Sequence, residues 1–313
     1  MIAYIIRRLL YTIPIVFGVL LVTFLLFNVI GGDRAAQIAG KSASKETIEE
    51  IRHEYGWDKP LFLSWDSQFI DHLEDAITFD FGRSYMDKEP VIDKIKRGIL
   101  PSLSITLPMF FGTVIISVSI SLIVAFFRGT LLDVSVVILC VAGMSLPFLS
   151  FILFGQYFLA YKWGFFPVFY WLDLSVFEYA ALPVMIGIAA GLGANVRFYR
   201  TVMLDELGND YVRTAFAKGL TTKRILFKHV LKNAMIPILT RVVLAIPFLF
   251  LGSLLLERFF GIPGLGYLMV EAIGSRDLKI INAMTYIGAI LFVVFNLITD
   301  ICYSLVDPRV TFE

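Results

Sequence analysis

The sequence predicts an all-α membrane protein that crosses the bilayer several times, and three observations support this. The chain of 313 residues is 58% hydrophobic, only 17% charged and contains 29 phenylalanines, whereas a soluble domain carries about 25% charged residues. Its mean hydropathy is +0.79. Six apolar runs approach the length that a bilayer interior of about 30 Å requires. Because backbone polar groups must be paired internally in lipid, these runs are expected to be helices.

The six predicted spans are residues 9–30, 103–127, 134–161, 180–196, 235–256 and 280–306. Pro147 and Gly155 in the third run, and Pro247 in the fifth, predict kinks supported by neighbouring helices. The fourth run is the shortest and contains glycines that let helix backbones approach closely, namely Gly187, Gly191 and Gly193. The first run could also be a signal peptide after Arg7 and Arg8, but signal-peptide cores span about 7–15 residues. A retained first helix is therefore favoured.

The distribution of charge predicts the orientation of the chain. Residues 197–233 contain eight Lys or Arg and three acidic residues, and residues 31–101 carry more acids than bases. Short basic segments next to spans face the cytoplasm. With six crossings, we expect both termini and the basic segment inside, and the long acidic segment outside.

Two short helices and an aromatic patch are expected outside. Ser44 can cap one helix that ends near Gly56, and a second helix is expected over residues 67–77. A separate core is not required, so a small cap packed on the membrane part is expected. The aromatic residues in 163–171 fit an interfacial belt, with a mouth for substrate or partner as the alternative.

The basic loop between the fourth and fifth runs predicts two short amphipathic helices. Asn209 or Asp210 can cap the first, and Gly219 stands where a left-handed terminating residue is needed. Its apolar side would carry Tyr211, Val212, Ala215 and Phe216. Thr221 or Thr222 can cap a second helix running to Pro237, with one face formed by Ile225, Leu226, His229 and Val230. Such helices could rest on lipid headgroups or insert into a cytoplasmic protein.

Residues 211–220 (YVRTAFAKGL) and 233–237 (NAMIP) resemble the EAA loop of ABC importer permeases, in the form found in the dipeptide, oligopeptide and nickel permease family. Further matching motifs run along the chain at residues 7–10, 31–33, 55–61, 80–84, 100–107, 257–266, 276–277, 296–303 and 307–309. The long outer segment resembles that of the B-type subunit. Gly31, Phe216 and Lys279 stand where proline, arginine and proline are usual.

The resemblance implies a type I ABC importer permease with six transmembrane helices in a bacterial or archaeal inner membrane. Residues 1–98 would form the first helix and a periplasmic segment, 99–306 the permease core and 307–313 a cytoplasmic tail. The implied cargo is peptides, with dipeptides, longer peptides, nickel chelates and glycans all left open. The implied partners are a C-type permease subunit, two ATP-binding subunits or domains, a solute-binding protein and membrane lipid, without nucleic acid.

The resemblance also implies a coupling helix that the ATPase partner moves as a rigid piece. Its expected coupling residues are Asp210, Tyr211, Arg213, Thr214, Ala215, Lys218 and Gly219. ATP and Mg would be bound by the partner subunits, and no cofactor is expected in this chain, which has no Walker A pattern.

Other chemistry is not indicated by the sequence. His53, His72 and His229 are scattered, so no metal site is expected, and no nucleophile with a paired base suggests catalysis. Arg241 and Asp300 could pair near the inner gate, or each could snorkel to the interface. The competing functional hypotheses are an intramembrane enzyme and a receptor-like binding module that uses the outer segment.

Overall fold

The structure is a computed structural model that describes residues 2–30, 33–39, 43–62 and 64–306. The α-helices in these ranges are α1 (Ile2–Phe24), α2 (Arg34–Ala39), α3 (Lys45–Glu54), α4 (Gln68–Thr78), α5 (Val91–Phe126), α6 (Leu131–Met144), α7 (Phe148–Gly155), α8 (Val176–Leu207), α9 (Asp210–Ala217), α10 (Thr222–Ile225), α11 (Leu231–Ala245), α12 (Leu254–Phe260), α13 (Leu265–Ser275) and α14 (Leu278–Val306). π-Helical segments occupy Leu25–Ile30, Gln156–Lys162 and Leu226–Val230, and a 3₁₀-helix occupies Ile246–Leu251. The predicted all-α class is confirmed.

Four helices are long and apolar enough to cross a membrane. They are Val91–Phe126, Val176–Leu207, Thr222–Leu251 and Leu278–Ile298. The pair Leu131–Met144 and Phe148–Lys162 also qualifies if it is counted as one bent span. Leu10–Phe24 is apolar but shorter. The polytopic architecture is confirmed, whereas the count of six spans stays a prediction.

The predicted kink at Pro147 is a sharp break. The two arms of the pair, α6 and α7 with its π-helical extension, are bent by 96°. Pro147 occupies the N-cap position of α7. Proline has no N–H to donate and disfavours helical geometry in the residue before it, so α6 cannot continue through this position. The arrangement is therefore either a broken span or a re-entrant loop.

The second short loop helix does not end at Pro237, so this expectation is wrong. Pro237 lies inside α11, and the chain is helical from Thr222 to Leu251. A proline is tolerated within a membrane helix when local π or 3₁₀ geometry and neighbouring groups satisfy the freed backbone atoms. The π-helical segment Leu226–Val230 precedes Pro237 and the 3₁₀-helix at Pro247 follows it.

The chain divides into two compact units, of which the first comprises Met1–Gly98 and Leu268–Leu297 within the described ranges. Ser44 caps α3 by accepting a hydrogen bond from the Thr47 amide, and Ser67 caps α4 in the same way. Both predicted helices of the acidic segment are therefore confirmed.

Aromatic rings pack the acidic segment onto apolar helices of its own unit. The Phe69 ring of α4 contacts Phe24 of α1 at 5.1 Å, and Phe81 contacts Tyr286 of α14 at 6.1 Å. Lys279 Nζ also lies 3.0 Å from Asp75 Oδ2, an ion pair between α14 and α4. The segment is thus a cap that shares its core with α1 and α14, as expected.

The second unit comprises Ile99–Tyr267 and Ile298–Thr311 within the described ranges. Its helices approach closely at glycines. A Cβ atom at Gly193 would lie 2.8 Å from the Cys140 carbonyl oxygen of α6, and one at Gly187 would overlap the Met109 side chain of α5. The predicted role of the glycines in α8 is therefore confirmed.

Candidate functional site

A cavity of about 420 Å³ lies in the second unit. Its walls come from one face of α5, one face of α8, the C-terminal part of α11 and the 3₁₀-helix after it. The lining residues are Thr106, Met109, Phe110, Thr113, Val114, Gly187, Gly191, Asn195, Tyr199, Arg241, Val242, Ala245, Phe248, Leu249, Gly252 and Ser253. The α8 residues recur every four positions, which is the spacing of one helix face.

The wall of the cavity is mainly apolar and carries a few polar groups. The Thr106 hydroxyl donates a hydrogen bond to the Leu249 carbonyl oxygen at 2.9 Å. The Thr113 hydroxyl donates one to the Met109 carbonyl oxygen at 2.7 Å. Asn195 Nδ2 donates to the Gly191 carbonyl at 2.9 Å. Concave, mostly apolar sites with few convergent polar groups are typical of ligand binding.

A buried carboxylate fixes the backbone beside this cavity. Glu257 is 0% exposed. Its Oε1 accepts hydrogen bonds from Ser102 Oγ and the Ser253 amide, both at 2.8 Å, and its Oε2 accepts one from the Tyr267 amide at 3.0 Å. Three donors can compensate much of the cost of burying a carboxylate. Glu257 therefore joins α12 to α5, to α13 and to the cavity wall at Ser253.

Gly252 has a φ of +73°, and its missing Cβ would meet the amide nitrogen of Gly266 at 2.7 Å. Both the left-handed conformation and the backbone contact require glycine. The chain at Gly252, just before α12, is therefore packed too tightly for any side chain at this position.

The helix α9, called the loop helix here, connects α8 with the long helix that begins at Thr222. Asn209 occupies its N-cap position, but the Asn209 side chain donates to Glu206 Oε2 at 3.1 Å instead of capping the helix. Gly219 has the predicted left-handed conformation, with a φ of +74°. Its amide donates to the Phe216 carbonyl at 2.9 Å, and the Leu220 amide donates to Ala215. The predicted helix and its glycine stop are confirmed.

One face of the loop helix is buried in its own unit. Val212 and Ala215 belong to a cluster with Leu122 of α5 and Tyr199 of α8. Tyr211 packs at the edge of this cluster, and its hydroxyl donates to Glu206 Oε2 at 2.6 Å. Burial and this hydrogen bond both raise the pKa of the Tyr211 phenol, which keeps it protonated.

The opposite face of the loop helix is exposed. Asp210, Arg213, Thr214, Lys218 and Gly219 are all accessible. Arg213 pairs loosely with Asp210 at 3.4 Å. Phe216, expected on the same side as Val212 and Ala215, is 48% exposed, whereas those two residues are buried. It lies about 100° further around the helix than Ala215, at the edge of the buried face.

The expected coupling residues therefore divide into two groups. Ala215 and Tyr211 hold the loop helix to its own unit, whereas Asp210, Arg213, Thr214, Lys218 and Gly219 face outward. Arg241 lies apart from them, on the cavity wall. The side chain of Asp300 is outside the described residues, so its pairing with Arg241 stays a prediction.

The sequence did not identify the cavity wall or the role of Glu257. The signal for the wall was present in α8, where Gly187, Gly191 and Asn195 recur at the spacing of one helix face. Ser102 and Glu257 were visible within motifs, but their contact spans 155 residues of sequence. A search for polar residues on the same helix face as these glycines, four positions apart along α8, would have found part of this wall.

Two family models match the chain. Residues 117–312 match the binding-protein-dependent transport system inner membrane component, and residues 1–107 match the N-terminal part of such membrane components. Curated relatives include the glutathione transport system permease protein GsiC of Escherichia coli (strain K12), 33% identical over 314 residues. GsiC of Shigella flexneri serotype 5b (strain 8401) is 33% identical over 313 residues. In both alignments 100% of each chain is covered.

The matched family supplies membrane subunits of ABC importers, whose ATPase activity lies with separate subunits. The apolar helices agree with a multi-pass position in the inner membrane. Together, the helical architecture, the two family models and the full-length relatives show that this chain belongs to the family of binding-protein-dependent transport system inner membrane components, as the permease subunit of an ABC importer.

Proposed function

We propose that this chain forms half of a translocation pathway for peptides, with the cavity of the second unit as part of that pathway. A solute-binding protein would deliver the peptide, a second permease subunit would supply the other half, and two ATP-binding subunits or domains would drive the cycle. The cavity supports this because it combines apolar surface with a few polar groups. The relatives named as glutathione permeases favour a peptide-like cargo, since glutathione is a tripeptide derivative.

The observation that carries the proposal is the shared position of Tyr199. This residue lines the cavity and also belongs to the buried cluster that holds Val212 and Ala215 of the loop helix. Displacement of the loop helix would therefore be transmitted to the cavity wall through packed side chains. A partner can shift such an equilibrium only through contacts that differ between the two states.

The exposed face of the loop helix is the proposed contact for the ATPase partner. It presents Arg213 and Thr214, with Phe216 at its edge, and the exposed Lys218 and Gly219 follow at its C-terminal end. The basic segment around it favours a cytoplasmic position, with the acidic segment 31–101 on the outer side and both termini inside. ATP and Mg would be bound entirely by the partners.

The proposal is tested by reconstituting the complete importer with its binding protein in proteoliposomes. ATPase activity and uptake are measured with dipeptides, longer peptides, glutathione, a nickel chelate and an oligosaccharide. We expect stimulation and uptake with peptides or glutathione. A response restricted to the chelate or the sugar would contradict the peptide assignment, and failure to co-assemble with any ATPase would contradict the coupling mechanism.

A further inference from the structure

The cavity wall contains a single formal charge among its lining residues, all of which lie in the described part of the chain. That charge is the guanidinium of Arg241 on α11. The remaining polar lining groups are hydroxyls and the amide of Asn195. Placing a charged side chain at the centre of a spanning helix costs about 2.5–3.5 kcal/mol on insertion scales, and such residues usually face a water-filled cavity or a partner.

Two neighbours orient this guanidinium. Arg241 Nε donates to Asn195 Oδ1 at 3.2 Å, and the guanidinium carbon lies 4.6 Å from the centre of the Phe198 ring. The Asn195 side chain is itself held in place, because its Nδ2 donates a hydrogen bond to the Gly191 carbonyl oxygen. The side chain is thus held by one hydrogen bond and one cation–π contact.

Most of the hydrogen-bonding capacity of Arg241 stays available. A guanidinium has five N–H donors, and the contact with Asn195 uses the one on Nε. Among the described side chains, none of the ion pairs involves Arg241. The two terminal NH₂ groups form a planar fork, which matches the two oxygens of a carboxylate.

We propose that Arg241 binds a carboxylate of the transported solute within the cavity. The two terminal nitrogens donate hydrogen bonds to the carboxylate oxygens while the peptide body lies on the apolar wall formed by residues such as Phe110 and Phe248. This rests on the proposed function, and it defines the substrate class more narrowly, as peptide-like solutes that carry a carboxylate. Because the described wall carries no second fixed charge, only one ion pair has to be broken when the solute leaves the cavity.

The test compares solutes that differ in their carboxylates. The probes are trialanine, trialanine amide and Ala-Glu-Ala amide, each used at a concentration that saturates the binding protein. Uptake is measured in proteoliposomes with the complete importer, carrying wild type, Arg241→Gln or Arg241→Lys. Arg258→Gln is the matched control, because Arg258 also contacts a ring, Tyr267 at 5.1 Å, but does not line the cavity.

We expect Arg241→Gln to slow uptake of trialanine about tenfold relative to trialanine amide, the loss typical of a charge-assisted hydrogen bond. Arg241→Lys, which keeps the charge but not the fork, should show a smaller change in this ratio. Arg258→Gln should leave the ratio unchanged. An equal slowing of Ala-Glu-Ala amide would extend the assignment to side-chain carboxylates.

An unchanged ratio of the two uptake rates in Arg241→Gln would overturn the role of Arg241 while wild-type peptide uptake still supported the proposed function. Failure of the wild-type importer to take up the three probes, dipeptides, longer peptides and glutathione alike, with its ATPase unstimulated, would overturn the proposed function itself. If the importer carrying Arg241→Gln does not assemble, the Arg241→Lys variant decides. A ratio of trialanine uptake to trialanine amide uptake equal to that of wild type would then contradict the proposal.

Discussion

Single residues determine how closely the helices of the second unit pack, and Gly193 gives the sharpest test. A Cβ atom at this position would lie 2.8 Å from the backbone oxygen of Cys140 and 3.0 Å from Met144 Cγ. Because the Cys140 oxygen is part of α6, the helices must separate to relieve the clash. We expect Gly193→Ala to destabilise the protein by about 1–3 kcal/mol. The measurement is thermal unfolding of the purified protein in detergent.

The matched control for Gly193→Ala is Gly18→Ala in α1, where a Cβ atom would meet nothing within 4 Å. Replacing a helical glycine by alanine without a clash stabilises by up to about 1 kcal/mol. The control should therefore unfold at or above the wild-type temperature. If both variants behaved alike, the close approach of α6 and α8 would be contradicted.

Glu257 tests a second residue-scale effect, the satisfaction of a buried charge. In Glu257→Gln one side-chain oxygen becomes an NH₂ group, which would face a backbone amide donor of Ser253 or Tyr267. An unsatisfied buried donor costs about 1–3 kcal/mol. We expect a clear fall in the unfolding temperature, whereas Glu50→Gln at an exposed position should change little. A wild-type unfolding temperature for Glu257→Gln would show that the three hydrogen bonds are not needed.

The sequence could predict the packing glycines because a small residue in an apolar run has few other uses. It could not predict the environment of Glu257, because the hydrogen bonds to that side chain depend on how three separate segments meet. Arg241 was recognised as an unusual charge, but its position on a cavity wall required the relative rotation of α8 and α11.

Individual elements carry the coupling hypothesis, and Gly219 is where the loop helix can be tested. Its φ is +74°, and a Cβ atom there would meet nothing within 4 Å. Gly219→Asp therefore costs about 1–2 kcal/mol in backbone strain without a clash inside this chain. We expect normal membrane insertion but loss of ATPase stimulation by the loaded binding protein, because the added carboxylate would lie at the partner surface.

Gly261→Asp is the control for Gly219→Asp, since Gly261 has a φ of +67° and equally open surroundings. The two variants share the backbone strain and the added charge, so only the location differs. Gly261→Asp should keep coupled transport. Normal stimulation and uptake in Gly219→Asp would show that the loop helix is not the contact with the ATPase.

Local signals predicted the ends of several elements. Ser44, Ser67 and Gly219 act through neighbouring backbone groups, so short sequence patterns were sufficient. The continuation of α11 through Pro237 was missed because a proline next to a loop usually marks a helix end, whereas a membrane-spanning helix tolerates one in its interior. Pro147 indicated a kink, but a proline at a helix start does not by itself set the angle between the two helical arms, which is 96° in the structure.

At the scale of the whole chain, the number of crossings decides which segments share a side of the membrane. Residue 65 precedes α5, and residue 218 follows α8. If α6 and α7 form one span, three crossings separate these residues, and they lie on opposite sides. If the bent pair is a re-entrant loop, only two crossings separate them, and they lie on the same side. Labelling these two positions therefore tests both the orientation and the span count.

We expect opposite sides, because the basic segment around Lys218 favours the cytoplasm and the acidic segment around Trp65 does not. Trp65 is 93% exposed, and Lys218 is also exposed, so a cysteine at either site is accessible. In a background with Cys140 and Cys302 replaced by serine, Trp65→Cys should react with a membrane-impermeant maleimide added to spheroplasts. Lys218→Cys should react only after permeabilisation. Reaction of both in intact spheroplasts would establish the re-entrant arrangement and contradict the positive-inside assignment of the loop helix.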